Sequence, residues 1–482
     1  MALAVAQVPL CVDETFHLTF APTGSVGSIE FMADGRLLVG GNLKRPGPII
    51  SYMGMTRLTG GGAIDPTFGP NYVGVANQVE IWEDSFIFLM SNGGGYQRLF
   101  LADGTNDYSY GSPLPEFSTS QAAYYHIFPD GKQWRTGSYS KQFYDDEGHQ
   151  IGNQQGFGLI QVLPDGHIDP DFDNKLSLPG MLWAIHELPD GRFLIGATSE
   201  VEYEGRQEGA LIRVWPDAGL DTTFHSSINW ARMISKDFYH YPDGRLLVFG
   251  RMMAPEYPND TLAVMRLNPD GSTDTTWPSI PFLNYGYFRG LAAITGFLEI
   301  EPGKLIVVGQ FNAIGDQPVG AIAAIDTSGN VLWDYLPGTG AGFTEQIDNN
   351  SPECYIQGIK QGPDGHIYIF GSFSGYNDGC GVHPEQRLIS RLYPLNVGVE
   401  KHPADKDIGL FPNPGTDKMN VSFDGQGGYA VSVQDLQGRT VLERIIGSGT
   451  AQIDVSSLSQ GMYTVLFIGA DGERSTTKWI KQ

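Results

Sequence analysis

Six polar side chains stand four residues ahead of a turn, and two of them are imidazoles. They are Glu30, Glu80, His126, His186, Tyr239 and Lys360, with Leu298 or Glu299 at the corresponding place in a seventh copy. Histidine titrates near neutrality and both imidazole and carboxylate bind divalent ions, so such groups gathered on one axis could ligate a metal or pass protons. Polar residues at these positions also serve simply to be solvated on a channel wall.

A second set combines aromatic rings with acids in loops: Tyr139, Tyr144 and Asp145, then Trp183, Tyr203, Trp230, Tyr257, Tyr285, Tyr287 and Tyr376. A flat ring covers the apolar face of a sugar or peptide group while a carboxylate accepts its hydrogen bonds, so this chemistry suits a glycan or protein partner. Some of these rings must instead pack between elements.

Asp169, Asp171 and Asp173 alternate like a calcium loop, but the downstream Gly and bidentate Glu are missing and Asp169 also belongs to a repeat. No cofactor is expected. Gly-x-Ser-x-Gly elbows, phosphate loops and His-Glu-x-x-His helices do not occur in the sequence. Of the three cysteines, Cys354 and Cys380 flank one strand pair and are expected to be bridged, leaving the pairing of Cys11 open.

These residues are positioned by a repeat. In residues 184–224 an apolar run, a Pro189-Asp190-Gly191 turn, the run Phe193–Gly196, a second pair of runs and Asp221-Thr222-Thr223-Phe224 read as four short antiparallel strands. The first turn recurs at Asp34-Gly35, Glu83-Asp84-Ser85, Asp130-Gly131, Asp243-Gly244, Pro302-Gly303 and Asp364-Gly365. A second series interleaves at Gly61-Gly62, Asp103-Gly104, Asp165-Gly166, Asp217, Asp270-Gly271 and Ser328-Gly329. Seven four-stranded units with periods of about 40–60 residues predict an all-β, seven-bladed β-propeller.

The fourth-strand motif appears as Asp65–Phe68, Asp107–Tyr110, Asp169–Phe172, Asp221–Phe224 and Asp274–Trp277, and is lacking after Arg391-Leu392-Tyr393. The missing copy is Asp13-Glu14-Thr15-Phe16. Residues near 13–20 are therefore expected to pair with the strand near 388–393, so that N- and C-terminal strands share one blade and leave no open edge.

Arg266-Leu267-Asn268-Pro269-Asp270-Gly271 followed by Asp274-Thr275-Thr276-Trp277 resembles the delta-60 repeat family of propeller-like bacterial proteins. The resemblance covers 13 to about 394 and implies a fold but no activity.

Beyond a polar link the repeat vanishes. Alternating apolar runs at Met419–Phe423, Tyr429–Val433, Thr440–Leu442, Ile453–Val455 and Tyr463–Ile468 predict a small β-sandwich of immunoglobulin-like type. Leu410–Gly415, the Asp435–Arg439 turn, the segment Ile453–Tyr463 and the terminal Lys478–Lys481 are together similar to the type A sorting domain of the type IX secretion system. That likeness implies a secreted or outer-membrane surface protein of a Bacteroidetes-type bacterium, handled by the secretion machinery through its tail. It also implies an export signal, and Ala4-Val5-Ala6 before Gln7 reads as the end of one. The expected divisions are a lead at 1–12, the propeller at 13–396, a linker at 397–408 and the sorting domain at 409–482.

Of the formal charge of −24, all but one unit falls outside residues 409–482. An acidic body disfavours nucleic acid and anionic lipid as partners. The sequence has no apolar run long enough for a membrane-spanning helix. The function expected is an exported propeller, monomeric, that binds an extracellular glycan or protein. The alternative is a secreted polysaccharide hydrolase or lyase working from the face where the connecting loops vary. That face is inferred from spacing, because the two turns of a unit are about 19 residues apart in the second copy and about 35 in the third.

Overall fold

The computed structural model describes residues 10–482 except 22, 46–50, 70–73, 93–94, 111–116, 120–123, 146, 148, 170, 173–174, 179–181, 233, 236, 258–259, 286–291, 337, 343–353, 395–408, 423–428, 436–438, 448–449 and 470–473. Strands and turns account for the described residues apart from a 3-10 turn at Trp333–Tyr335. The chain divides into two compact units, up to Val397 and from Gly398.

The first unit repeats one construction. Ser25–Phe31, Leu37–Arg45 and Ser51–Leu58 pair in order as an antiparallel sheet, and so do Val75–Trp82, Phe86–Asn92 and Gly95–Phe100. Further sheets of the same order are built on Phe193–Ala197, Leu246–Met253, Lys304–Gln310 and Ile367–Asn377 as middle strands, and on the long hairpin Gln133–Tyr144 with Gln150–Val162. First-turn glycines sit in the left-handed region, as at Gly191 with φ 81°, which an L-residue with a Cβ adopts only at a cost.

The expected fourth strand is not a strand. Beside each third strand lies one isolated bridge: Leu58 to Ile64, Leu99 to Asn106, Val162 to Ile168, Val214 to Leu220, Leu267 to Thr273 and Ile325 to Val331. In five of the sheets the Asp motif follows as a turn. Asp65 shows why. Its Oδ1 accepts from the Thr67 amide (2.9 Å) and hydroxyl (2.6 Å), curling the chain, while Oδ2 accepts from Arg57 Nε (2.7 Å) and Arg36 Nη1 (3.1 Å). Local side-chain bonds of this kind draw the backbone away from a ladder. Asp221 is held by Thr223, Arg213 and Arg192, and Asp274 by Thr276, Arg266 and Arg245.

At the last sheet the bridge runs from Leu392 to Val12. Leu10 and Asp13 donate their amides to Tyr393 and Arg391, and Tyr393 donates to Cys11. The pairing thus covers Leu10–Asp13 and not the expected 13–20: beyond it the chain turns to the first sheet, where His17 and Ala21 donate their amides to the Gly61 and Lys44 carbonyls. Asp13 takes the Thr15 amide (2.9 Å) and Arg391 Nε (2.8 Å) in the repeat manner. The expected Cys354–Cys380 bridge is not formed: Cys380 is bonded to Cys11 with Cα atoms 6.0 Å apart, and Cys354 is free. The tip of the last hairpin faces the incoming chain end, since Asp378 Oδ2 accepts the Val12 amide at 2.7 Å.

Core residues lie between sheets. Val248, Met252 and Met265 pack with Leu194 and Leu211 of the preceding sheet, and Ile306 and Val308 pack with Ile356, Ile369 and Val12. Tyr368, Phe370 and Ile389 of the last sheet pack with Phe16, Val26, Ile29 and Val39, so the last sheet lies on the first. Burying apolar side chains on both faces of every sheet is the main stabilising term of such an arrangement.

The second unit holds two sheets, Gly409–Phe411, Lys418–Ser422 and Thr450–Asp454 in one, Thr440–Ile446, Tyr429–Gln434, Gly461–Gly469 and Arg474–Lys481 in the other. They share a core of Met419, Val421, Ile453, Val431, Val433, Val465, Phe467 and Trp479. Trp479 is fully buried and its Nε1 donates to the Pro412 carbonyl (2.8 Å), while Asn413 Oδ1 accepts the Ile480 amide (3.0 Å). The two ends of the unit are thereby tied together.

Candidate functional site

The polar positions on the first strands meet in pairs across neighbouring sheets. His186 Nε2 lies 2.8 Å from His240 Nε2, with ring centroids 5.1 Å apart and planes at 17°. The two nitrogens therefore face each other along the line of centres, one donating and the other accepting. His126 stands 3.5 Å from Glu187, among the rings of Phe128 and Phe193. Lys360 bonds the Ile29 carbonyl at 2.9 Å and pairs with Glu30. Tyr239 hydrogen-bonds Glu299, and burial first and that carboxylate second raise its pKa. Glu80 is half-buried on the strand Val75–Trp82.

Burial lowers the pKa of His126, offset in part by Glu187, and likewise that of His240, offset in part by Asp190. Both imidazoles are thus kept neutral where an exposed histidine would begin to charge. The pairing partners were legible only in part: His240 and Glu187 sit three residues before their turn Asp, one place on from the series read in the sequence, and point back to the preceding sheet.

The aromatic set separates. Tyr203 is fully buried and donates its hydroxyl to the Ala218 carbonyl (2.8 Å), and Tyr376 is 2% exposed in the core beside Ile356 and Leu392. Both rings are packed into the core, turned inward from their strands. Trp230 is half-buried on Trp230–Arg232, bridged to Ser199 of the preceding sheet, and Tyr257 packs partly on the core. Tyr285 is 59% exposed, its amide held by Asn312 Oδ1. The strands that hold Tyr139, Tyr144 and Trp183 are described without their side chains, and Tyr287 lies outside the described residues.

Asp145 caps the turn of the long hairpin, taking the amides of Glu147 (3.0 Å) and His149 (2.8 Å). Asp169 is taken up by the repeat. Its oxygens take the Asp171 amide (3.0 Å), Gln161 Nε2 (2.8 Å) and Lys132 Nζ (3.0 Å), the same service given by the other repeat aspartates, and Asp173 lies outside the described residues. Burial pushes the free Cys354 thiol up to about 12, which makes it a poor nucleophile.

Residues 409–482 match the secretion system C-terminal sorting domain, and residues 242–276 match a beta-propeller domain of unknown function, DUF5122. The tail is a type IX sorting domain. The protein is accordingly secreted or held at the cell surface, and the body that the sorting domain exports is a β-propeller. No curated protein matches the chain. Among solved structures, the extracellular domain of a hybrid two component system from B. thetaiotaomicron is similar over 97% of this chain and 58% of its own, at 12% identity and TM-score 0.44. The chain thus spans less than two thirds of that relative. PorZ, a surface component of the type-IX secretion system of Porphyromonas gingivalis, is similar over 96% and 75%, at 12% identity and TM-score 0.29. The WD40 beta propeller domain of Doa1 covers 77% and 97%, at 9% identity and TM-score 0.31. With such scores the fold reading stands on the sheets and on the matched repeat.

Proposed function

We propose that the seven sheets are the blades of one closed ring, sealed where Leu10–Asp13 meets Arg391–Tyr393. We propose further that the sorting domain is an immunoglobulin-like sandwich, joined by a linker at 397–408. The protein is a monomeric exported propeller of a Bacteroidetes-type bacterium, and it binds an extracellular glycan or protein. The binding face is the end of the ring where second-to-third strand and sheet-to-sheet connections emerge. Those connections differ from sheet to sheet, as a continued hairpin at Gln133–Val162 and a separate one at Val201–Glu208.

The observation that supports this reading most is Tyr285, which keeps 59% of its surface exposed on a backbone pinned by Asn312, with half-buried Trp230 and Tyr257 on other connections. A rigid ring presenting pinned aromatics suits recognition. The secreted protein tested on a glycan array and against surface-protein extracts should bind one class of ligand. Tyr285→Ala and Trp230→Ala should each weaken that binding at least 10-fold with unchanged unfolding temperature. A parallel polysaccharide-degradation assay decides against the reading if it finds cleavage without stable binding.

A further inference from the structure

The tip of the long hairpin in the third sheet brings together an imidazole and two carboxylates. Asp145, Glu147 and His149 each offer one ligand atom, all within 4.8 Å of one another. His149 Nδ1 lies 3.4 Å from Asp145 Oδ2 and 3.8 Å from Glu147 Oε2. Hydrogen bonds between such groups close to about 2.7–3.2 Å. Neighbouring ligands of an ion bonded at about 2.1 Å stand roughly 3.0–3.5 Å apart. The 3.4 Å spacing falls in the second range and the 3.8 Å spacing lies just beyond it.

Local bonding assigns the free donor of the aspartate. Oδ1 is occupied by the Glu147 and His149 amides, which leaves Oδ2 turned toward the imidazole. His149 and Glu147 are largely exposed, with 76% and 80% of their side-chain surfaces accessible, so an ion reaching the tip loses little to crowding and keeps water in its remaining positions.

We propose that Asp145, Glu147 and His149 form a binding site for a borderline divalent transition ion of the zinc class. One imidazole with two carboxylates suits such an ion better than calcium, which prefers six to eight oxygens. The open positions can accept a donor from a molecule docked at the hairpin tip, which gives the ion a bridging role there. The site stands on these three side chains and does not depend on which partner the propeller takes.

The test is a calorimetric titration of the metal-stripped full chain with Zn²⁺, repeated with Co²⁺ and followed by visible absorption. Wild type should take up one equivalent saturably and give a Co²⁺ spectrum with a nitrogen ligand. His149→Ala and Asp145→Asn should weaken uptake at least 10-fold, while His167→Ala, which removes an exposed histidine elsewhere, should leave it unchanged. His149 and His167 are exposed, and the side chain of Asp145→Asn keeps an oxygen able to accept the two turn amides, so circular dichroism should match wild type. Absence of saturable uptake in wild type, or uptake in His149→Ala equal to wild type, overturns the proposal.

Discussion

Arg391 and Asp13, 378 residues apart in the chain, make the contact that Arg57 makes with Asp65 eight residues away. The guanidinium reaches the carboxylate at 2.7 Å, donates to Thr15 Oγ1 at 3.0 Å, stacks on the Phe16 ring and hands Nη1 to the Gly60 carbonyl at 2.8 Å. Arg57, Arg98 and Arg213 reach a carbonyl of the following sheet in the same way, at Leu101, Pro164 and Pro269. One side chain thus fastens a turn, an aromatic ring and the neighbouring sheet.

Breaking this pair leaves a buried charge without its partner. Asp13→Ala should therefore cost about 3 kcal/mol of unfolding free energy. Asp34→Asn, which removes a carboxylate half exposed beside Arg36, should cost less than about 1 kcal/mol. Denaturant titration of both variants checks the difference.

Acid should unfold the body in two windows. His126 and His240 are held below the ordinary 6.5, so the folded state takes up protons less readily than the unfolded chain. Their contribution is complete above about pH 6.5 and is lost as pH falls. For Asp274 burial alone would raise the pKa, but Thr276 and Arg266 outweigh it and bring it to about 2. Stability from that carboxylate is complete above about pH 4 and lost between there and about pH 2. Unfolding free energy measured from pH 8 to 2 should fall in both ranges, and His240→Phe should flatten the upper one.

Two turn glycines with the same backbone hand separate local from seam strain. Gly35 has φ 83° and open space where a Cβ would stand; Gly62 has φ 91° and would place a Cβ 2.6 Å from the His17 carbonyl oxygen. Gly35→Ala should cost about 1 kcal/mol, the usual left-handed penalty. Gly62→Ala must also push the N-terminal segment away and should cost at least twice that by thermal unfolding.

The Cys11–Cys380 bond closes a loop of 369 residues. In the chain-entropy account a link this long restricts the unfolded chain by up to about 6 kcal/mol. Cys11→Ser with Cys380→Ser should lower the unfolding temperature markedly and make it insensitive to reductant, whereas Cys354→Ser should keep the reductant response of wild type.

In the sorting domain, Trp479→Ala removes the largest buried ring and the bond to Pro412. A loss of about 4 kcal/mol is expected from the cavity alone. Cell fractionation should find the full chain retained inside the envelope.

Turn spacing made the sheets legible, because Asp-Gly pairs and alternating apolar runs leave a mark that needs no tertiary knowledge. The Asp-x-Thr-Phe element misled for a physical reason: its aromatic is buried like a strand residue, yet its Asp and Thr bond each other and curl the chain. Cys354 and Cys380 are close in sequence, but the bond was decided by the chain end that lies against Asp378, which no local pattern announces. Tyr203 and Tyr376 carried the right chemistry on the inward side of their strands, and only packing reveals which side that is. His240 and Glu187 were missed as partners because strand spacing orders residues along one sheet, not across two.

Because residues 10–13 and 391–393 complete one sheet, a nascent polypeptide emerging from the ribosome cannot lock its first strand until nearly four hundred residues have been made. Such long-range pairing is slow to form, so the contact that joins residues 10–13 to 391–393 is expected to be among the last the body makes.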